Sequence, residues 1–155
     1  MTERDDVTGA RKPSFSGVER ALRKVADVVS PTPLKSLRFG ESVLFCKCES
    51  EQPMRAFKLR GAWHRLTDMS EDERKGGVVA FSSGNHAQGV ALAAQKLGVD
   101  ATIVMPITTP SIKVDAVKRR GAHVVLQGDA FDQASEFANR LVVERGATYL
   151  HPFDD

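Results

Sequence analysis

The sequence predicts an α/β fold in which a parallel sheet carries helices on both faces, and two observations lead to this prediction. From residue 77 to residue 152, short apolar runs typical of buried strands alternate with longer helical runs. A glycine also stands where each of these helices should end. Strands that alternate with helices are joined by right-handed crossovers, which make the strands parallel. The strands are expected to begin near Val78, Ala101, His123 and Thr148.

The helices between these strands are expected to end at Gly98, Gly121 and Gly146. Ser111 and Asp129 favour helix starts, and they predict where the second and third of these helices begin. In open parallel sheets, ligands bind beyond the carboxyl ends of the strands. The turn that follows the first of these strands is therefore the expected ligand-binding edge.

The part of the chain before residue 77 is less regular. Residues 1–15 predict a flexible tail, because they are charged and contain no apolar run. An amphipathic helix should follow, with Ser16 and Glu19 forming its capping box. The run Ser42–Lys47 predicts a strand, and residues 56–66 predict a second helix.

The composition narrows the class of protein. The chain has 155 residues, a net charge of +2 and scattered basic residues, so no nucleic-acid-binding surface is expected. Cys46 and Cys48 would face the same side of one strand, which argues against a disulfide, and no ligand spacing indicates a metal. The charged N-terminus lacks the apolar core of a signal peptide or membrane anchor. We therefore predict a cytoplasmic protein with reduced thiols and without nucleic-acid, membrane or metal partners.

A polar turn at residues 81–89 (Phe-Ser-Ser-Gly-Asn-His-Ala-Gln-Gly) separates the first regular strand from an alanine-rich helix. Unpaired backbone N–H groups and the helix dipole make such a helix start favourable for an anion. Val90 and Ala91 stand where a P-loop needs lysine and serine or threonine, which disfavours a nucleotide phosphate. Hydroxyl, amide and imidazole groups favour a small carboxylate instead. A turn that only caps its helix explains the spacing equally well.

Lys58 is the candidate for covalent chemistry. It lies in the first turn of its predicted helix, where the dipole disfavours another cation, and partial burial would make its amine easier to deprotonate. A neutral lysine amine attacks carbonyl groups, as a Schiff base with pyridoxal phosphate requires. By position alone, a surface lysine on a basic helix is the simpler interpretation.

Two stretches in this order closely resemble the threonine dehydratase and serine racemase family, whose members are pyridoxal-phosphate enzymes of fold type II. The first is Gln-Pro at 52–53 followed by Ala-Phe-Lys-Leu-Arg-Gly-Ala at 56–62, and the second is Ser-Ser-Gly-Asn-His-Ala-Gln-Gly at 82–89. The resemblance spans nearly the whole chain after residue 15. It continues at Thr-Pro-Leu 32–34, Lys-Cys-Glu 47–49, Met-Pro 105–106, Lys113, Gly-Ala 121–122 and His-Pro 151–152.

The resemblance implies a role for each matching residue. Lys58 would hold pyridoxal 5'-phosphate as a Schiff base and later remove the substrate's α-proton. Phe57 would pack near the cofactor, and Asn85 would hydrogen-bond the phenolic oxygen of its ring. Ser83 matches the position that racemases of the family use as an acid or base on the opposite face. The residues expected to bind the substrate are Ser82, Ser83, Asn85, His86 and Gln88.

The function implied by the resemblance is a pyridoxal-phosphate-dependent threonine or serine dehydratase. Such an ammonia-lyase converts a β-hydroxy amino acid into a 2-oxo acid and ammonia. A serine racemase or a β-hydroxyaspartate dehydratase of the same family is the first alternative. The alternative from another class is a non-catalytic α/β binding module or a decayed paralogue.

The resemblance also implies how the chain is divided. Residues 16–70 match the opening part of the larger, cofactor-binding domain, and residues 77–152 match the complete small α/β domain. The second half of the family fold, with its glycine-rich phosphate loop, has no counterpart in these 155 residues. We therefore expect an N-terminal fragment that is inactive alone, homo-oligomers of the full-length protein, and exposed apolar surface on the first helix and strand.

Overall fold

A computed structural model of the chain describes residues 14–153. A four-stranded parallel sheet forms its centre, in the spatial order β5-β4-β3-β6. The predicted α/β fold is confirmed, and each strand begins at the residue that the sequence indicated. The strands are β3 (Val78–Phe81), β4 (Ala101–Met105), β5 (His123–Leu126) and β6 (Thr148–Tyr149).

The helices of this region are α4 (Asn85–Leu97), α5 (Ser111–Lys118) and α6 (Phe131–Arg145). Gly98 and Gly146 end α4 and α6 in the left-handed conformation, with φ of 65° and 62°, which confirms these two predicted stops. The stop predicted at Gly121 is wrong, because α5 already ends at Lys118 with Arg119 as its cap. Ser111 is the first residue of α5, as predicted, although Pro110 is its cap. The predicted start of α6 at Asp129 is wrong by two residues, because the Asp129 N–H bonds the Gln133 side chain in a turn ahead of the helix.

Both faces of the sheet are covered. Val78, Ala80 and Ile103 point to one face and pack in a core with α4 and α5. Val79 and Val104 point to the other face and pack against Ala134, Ala138 and Leu141 of α6. This division follows from the two-residue alternation of side chains along a strand.

The first described part of the chain contains three α-helices, a short 3-10 helix and a hairpin. They are α1 (Phe15–Val25), β1 (Leu34–Phe39), β2 (Ser42–Lys47), a short 3-10 helix (Glu49–Glu51), α2 (Lys58–Asp68) and α3 (Glu71–Lys75). The strand β2 is confirmed, whereas β1 was not anticipated. Leu59, Ala62 and Leu66 of α2 belong to the same core as α4, so the second helix is packed onto the parallel-sheet region. None of the helices within residues 14–153 has the length and apolar character needed to cross a membrane.

The start of α1 differs from the prediction. Ser14 caps the helix, because its backbone is extended and its Oγ accepts a hydrogen bond from the Gly17 N–H at 3.1 Å. The capping box predicted from Ser16 and Glu19 is therefore wrong. Most of the predicted tail, residues 1–13, lies outside the described residues. Its last two residues, Ser14 and Phe15, are the cap and the first residue of α1. The division into residues 16–70 and 77–152 stays a prediction.

The hairpin exposes apolar side chains on both faces. Its antiparallel register pairs Leu37 with Leu44 and Arg38 with Val43, so neighbouring pairs point to opposite faces. The predicted exposure of apolar surface in this part of the chain is confirmed. The exposed large apolar residues of α1, β1 and β2 are Phe15, Val18, Leu22, Leu34, Leu37, Phe39, Val43, Leu44 and Phe45.

Candidate active site

The helix that carries Lys58 touches the helix that follows the polar turn. A Cβ atom added to Gly89 of α4 would lie 3.1 Å from both the carbonyl carbon and the carbonyl oxygen of Lys58. Only a glycine permits the two backbones to approach so closely without displacement. The first turn of α2 therefore meets the second turn of α4, and this contact brings the predicted lysine close to the predicted anion-binding turn.

The Lys58 side chain is half-buried, and its amine has specific neighbours. Nζ donates a hydrogen bond to the carbonyl oxygen of Pro152 at 2.6 Å. The same atom lies 5.3 Å from the ring centroid of Phe57 and 4.9 Å from that of Phe153. A carbonyl dipole and two aromatic faces both attract a cation. Lys58 is consequently held in a defined place, which differs from the alternative of a freely solvated surface lysine.

His86 lies beside this amine and is only 7% exposed. Its Nε2 atom lies 3.1 Å from the carbonyl oxygen of Leu150, and because a carbonyl can only accept, Nε2 is the donor. Burial lowers the pKa of His86, and the charges of Lys58 and His151 lower it further, against the opposing effect of the Leu150 hydrogen bond. The imidazole is therefore favoured in its neutral form next to Lys58.

The turn between β3 and α4 leaves the start of the helix without a side-chain cap. Gly84 occupies the cap position, and within residues 14–153 no side chain at this position accepts a hydrogen bond from the N–H groups of the first turn. The Ser82 hydroxyl instead accepts from the Gly84 N–H at 3.1 Å, ahead of the helix. The alternative in which the turn serves to cap α4 is therefore wrong. The first N–H groups of α4 are left for another acceptor at the carboxyl end of β3.

A cavity of about 640 Å³ opens next to this junction. Phe57, Lys58 and His86 line it, together with residues of α1, the exposed side of α2 and Leu150–Phe153. The other predicted site residues do not line this cavity. Ser82, Ser83 and Gln88 are half-buried and Asn85 is exposed, all on the adjoining turn.

Sequence reasoning missed the residues that contact Lys58 from the end of the chain. Leu150 follows β6, which pairs with β3 in the parallel sheet, and its N–H bonds the Val79 carbonyl at 2.9 Å. Parallel neighbours present their carboxyl ends at one edge, so the residues after β6 must lie beside the turn after β3. That rule could have placed Pro152 and Phe153 near the site, because the four strands were predicted.

A family model described as pyridoxal-phosphate dependent enzyme matches residues 25–155. The chain is 48% identical over 136 residues to "Threonine dehydratase 1 biosynthetic, chloroplastic" from Solanum lycopersicum. The matched region covers 84% of this chain and 22% of that protein. It is 44% identical over 148 residues to L-threonine ammonia-lyase from Thermotoga maritima, covering 92% of this chain and 36% of that protein.

Solved structures give the same grouping. The processed form of threonine deaminase isoform 2 from Solanum lycopersicum matches with a TM-score of 0.79 at 39% identity, covering 94% of this chain and 44% of that one. Maize serine racemase matches with a TM-score of 0.84 at 35% identity, covering 90% of this chain and 44% of that one. The chain thus spans less than half the length of the relatives it matches.

Proposed function

The chain belongs to the pyridoxal-phosphate dependent enzyme family, and within it we propose that the chain serves the elimination of ammonia from L-threonine or L-serine. Each molecule of the β-hydroxy amino acid would give one molecule of a 2-oxo acid and one of ammonia. One observation carries this proposal. A lysine amine, a neutral imidazole and an uncapped helix start meet at the carboxyl edge of one parallel sheet.

The residues present fit the aldehyde and the ring of the family's cofactor, whereas its phosphate loop has no counterpart in these 155 residues. When bound, pyridoxal phosphate supplies an aldehyde that condenses with amines and a ring that spreads the negative charge left on a substrate carbon. Lys58 offers a half-buried primary amine for that aldehyde. The neighbouring cavity of about 640 Å³ falls within the range of small-molecule pockets, which is about 300–1,000 Å³. Lys58 and Phe57, which line this cavity, are proposed to hold the cofactor together with Asn85 on the adjoining turn.

Lys58 would also move the proton. The hydrogen bond from Nζ to the Pro152 carbonyl fixes one N–H direction, so the lone pair of a neutral amine points away from that oxygen. A substrate Cα–H bond placed in line with the lone pair would be broken there. Because the lowered pKa of His86 favours its neutral form, the imidazole adds no positive charge beside the Lys58 amine.

The turn after β3 would orient the substrate. Its carboxylate would accept hydrogen bonds from the first N–H groups of α4, with the side chains of Ser82, Ser83 and Gln88 beside them. The positive end of the α4 dipole adds an attraction for the same anion. Fixing the carboxylate restricts the Cα–H bond to one direction, which raises the effective concentration of the reacting groups.

A racemase is the second candidate. Ser83 is half-buried on the turn, where its hydroxyl could exchange a proton on the face opposite Lys58. Maize serine racemase and an aspartate racemase both match the fold with TM-scores of 0.84. The same protein assays separate the two reactions, because a racemase turns L-serine into D-serine and an ammonia-lyase produces a 2-oxo acid.

The test is covalent trapping of the cofactor. The purified chain is mixed with pyridoxal phosphate and reduced with borohydride, and the modified lysines are mapped by mass spectrometry. We expect Lys58 to be labelled well ahead of Lys75, an exposed lysine paired with Asp72 on α3. Lys58→Ala should remove this label and the visible absorbance that precedes reduction. Equal labelling of the two lysines would contradict the proposal.

Substrate choice is tested with a longer protein that carries this chain, because we propose that the 155 residues are an N-terminal fragment that is inactive alone. L-Threonine, L-serine and hydroxyaspartate are each added to the protein with cofactor, and 2-oxo acid, ammonia and D-amino acid are measured. We expect 2-oxo acid from L-threonine or L-serine, whereas D-serine as the main product would favour the racemase. The predicted homo-oligomer is a further proposal, to be measured by sedimentation, and the cytoplasmic location stays a prediction.

A further inference from the structure

Glu49 and Arg60 form an ion pair of defined geometry close to Lys58. Arg60 donates from Nε to Glu49 Oε2 at 2.8 Å and from Nη2 to Oε1 at 2.9 Å. The two side chains are mostly shielded from solvent, with 18% and 29% exposed. Two parallel charge-assisted bonds fix the orientation of both groups as well as their separation. The pair therefore joins the short 3-10 helix rigidly to α2.

Two further residues hold the carboxylate in place. The Thr32 hydroxyl donates to Glu49 Oε1 at 2.8 Å, and Lys47 Nζ donates to the Thr32 hydroxyl at 2.7 Å. The hydrogen bond from Arg60 is the main reason that the pKa of Glu49 lies at about 2, with Thr32 adding to the effect and burial opposing it. Glu49 is consequently an anion at every pH at which the protein would work.

The start of α2 is packed against α4 but has no side-chain cap. Phe57 is its cap residue and offers no side-chain hydrogen bond, and the first turn contains no acidic residue. Lys58 and Arg60 place two cations at the positive end of the helix dipole, which is unfavourable. The Arg60 N–H bonds the Phe57 carbonyl at 3.0 Å. A restraint on Arg60 is therefore a restraint on the turn that contains Lys58.

We infer that Glu49 and Arg60 are positioning residues for Lys58. By fixing the first turn of α2, the pair keeps the Lys58 amine near the rings of Phe57 and Phe153 and beside His86. The inference rests on the proposed function in that it takes Lys58 as the reacting amine. If the ion pair only stabilised the fold, a variant that lacks the pair but still folds would keep the Lys58 amine in its native place.

The position of the amine can be measured without the cofactor. Reductive methylation with ¹³C-formaldehyde adds a labelled probe to each lysine, and the Lys58 signal is assigned by its loss in Lys58→Arg. In the native chain, the rings at 5.3 and 4.9 Å should displace this signal from that of the exposed Lys75. In Glu49→Gln and in Arg60→Lys, it should move toward the Lys75 position.

The matched control is Glu73→Gln, which breaks the 3.4 Å ion pair between Glu73 and Arg65 farther along α2. It should lower stability without changing the Lys58 signal. Trapping of pyridoxal phosphate at Lys58 should fall about tenfold in the Glu49 and Arg60 variants, and less than twofold in the control, because a small misplacement of a reacting group has a large effect on its reactivity.

A native Lys58 signal in folded Glu49→Gln or Arg60→Lys would overturn the inference. Circular dichroism establishes that the variant is folded, and Arg60→Lys, which keeps the charge and removes the second donor, gives the answer if Glu49→Gln does not fold. Absence of trapping at Lys58 in the native chain would count against the proposed function. The methyl signal would still decide whether the ion pair positions the amine.

Discussion

Replacing Gly89 with alanine is the sharpest test of the contact between α2 and α4. The added Cβ would lie 3.1 Å from two atoms of the Lys58 carbonyl group and 3.3 Å from the Leu59 nitrogen. These neighbours belong to the backbone, so no flexible side chain can move aside. The first turn of α2 must shift by a few tenths of an ångström, and Lys58 must shift with it.

The expected loss of stability is modest. Overpacking of a close contact costs about 1–3 kcal/mol, and alanine in place of glycine within a helix returns about 1 kcal/mol. We expect a net loss of about 1 kcal/mol, read as a lower urea midpoint by the fluorescence of Trp63. This residue is buried on α2 and bonds the Lys24 carbonyl through its indole N–H at 2.8 Å.

The effect on Lys58 should be larger than the effect on stability. Trapping of pyridoxal phosphate at Lys58 should decrease by about tenfold if the turn is displaced. The matched control is Gly61→Ala on α2, where an added Cβ meets no atom within 4 Å. Gly61→Ala should raise stability by up to about 1 kcal/mol and leave trapping unchanged. If Gly89→Ala behaves like Gly61→Ala in both measurements, the close contact does not place Lys58.

Three further predictions concern strain and charge. Arg55 is exposed with a φ of 57°, so Arg55→Gly should raise the free energy of unfolding by about 0.5–1 kcal/mol, and a lower urea midpoint would contradict this. The lowered pKa of Glu49 contributes stability that is complete above pH 4.5 and is lost as the pH falls toward 2. The contribution is about 1–2 kcal/mol after screening by solvent, and acid titration of Glu49→Gln should show a flatter loss over this range. Because the pKa of His86 is lowered from 6.5, the unfolded chain takes up the proton first, and stability should decline below pH 6.5 less steeply in His86→Asn.

The parallel sheet could be predicted from the sequence because its signals are local. Gly98 and Gly146 stop helices through a backbone conformation that other residues disfavour, and buried strands read as continuous apolar runs. The hairpin gave no such signal for β1. Its apolar residues point to both faces, so the alternation expected of a half-buried strand is missing from Leu34–Phe39.

The site could be predicted only in part, and the difference lies in sequence separation. Lys58 and the turn after β3 were identified as single motifs, and the contact at Gly89 joins them in the structure. The carbonyl of Pro152 lies 94 positions along the chain from Lys58. No local pattern encodes that bond, because it arises from the order of strands in the sheet.

The surroundings of Lys58 compensate for an unfavourable placement. A lysine in the first turn of a helix opposes the helix dipole, and Arg60 nearby adds a second positive charge. Glu49 neutralises Arg60, and within residues 14–153 the Lys58 amine contacts the Pro152 carbonyl and two aromatic rings rather than a carboxylate. A carboxylate paired directly with Lys58 would stabilise the protonated amine much more strongly and would prevent its use as a nucleophile. Placing the anion on Arg60 instead stabilises the turn without setting a carboxylate against the Lys58 amine.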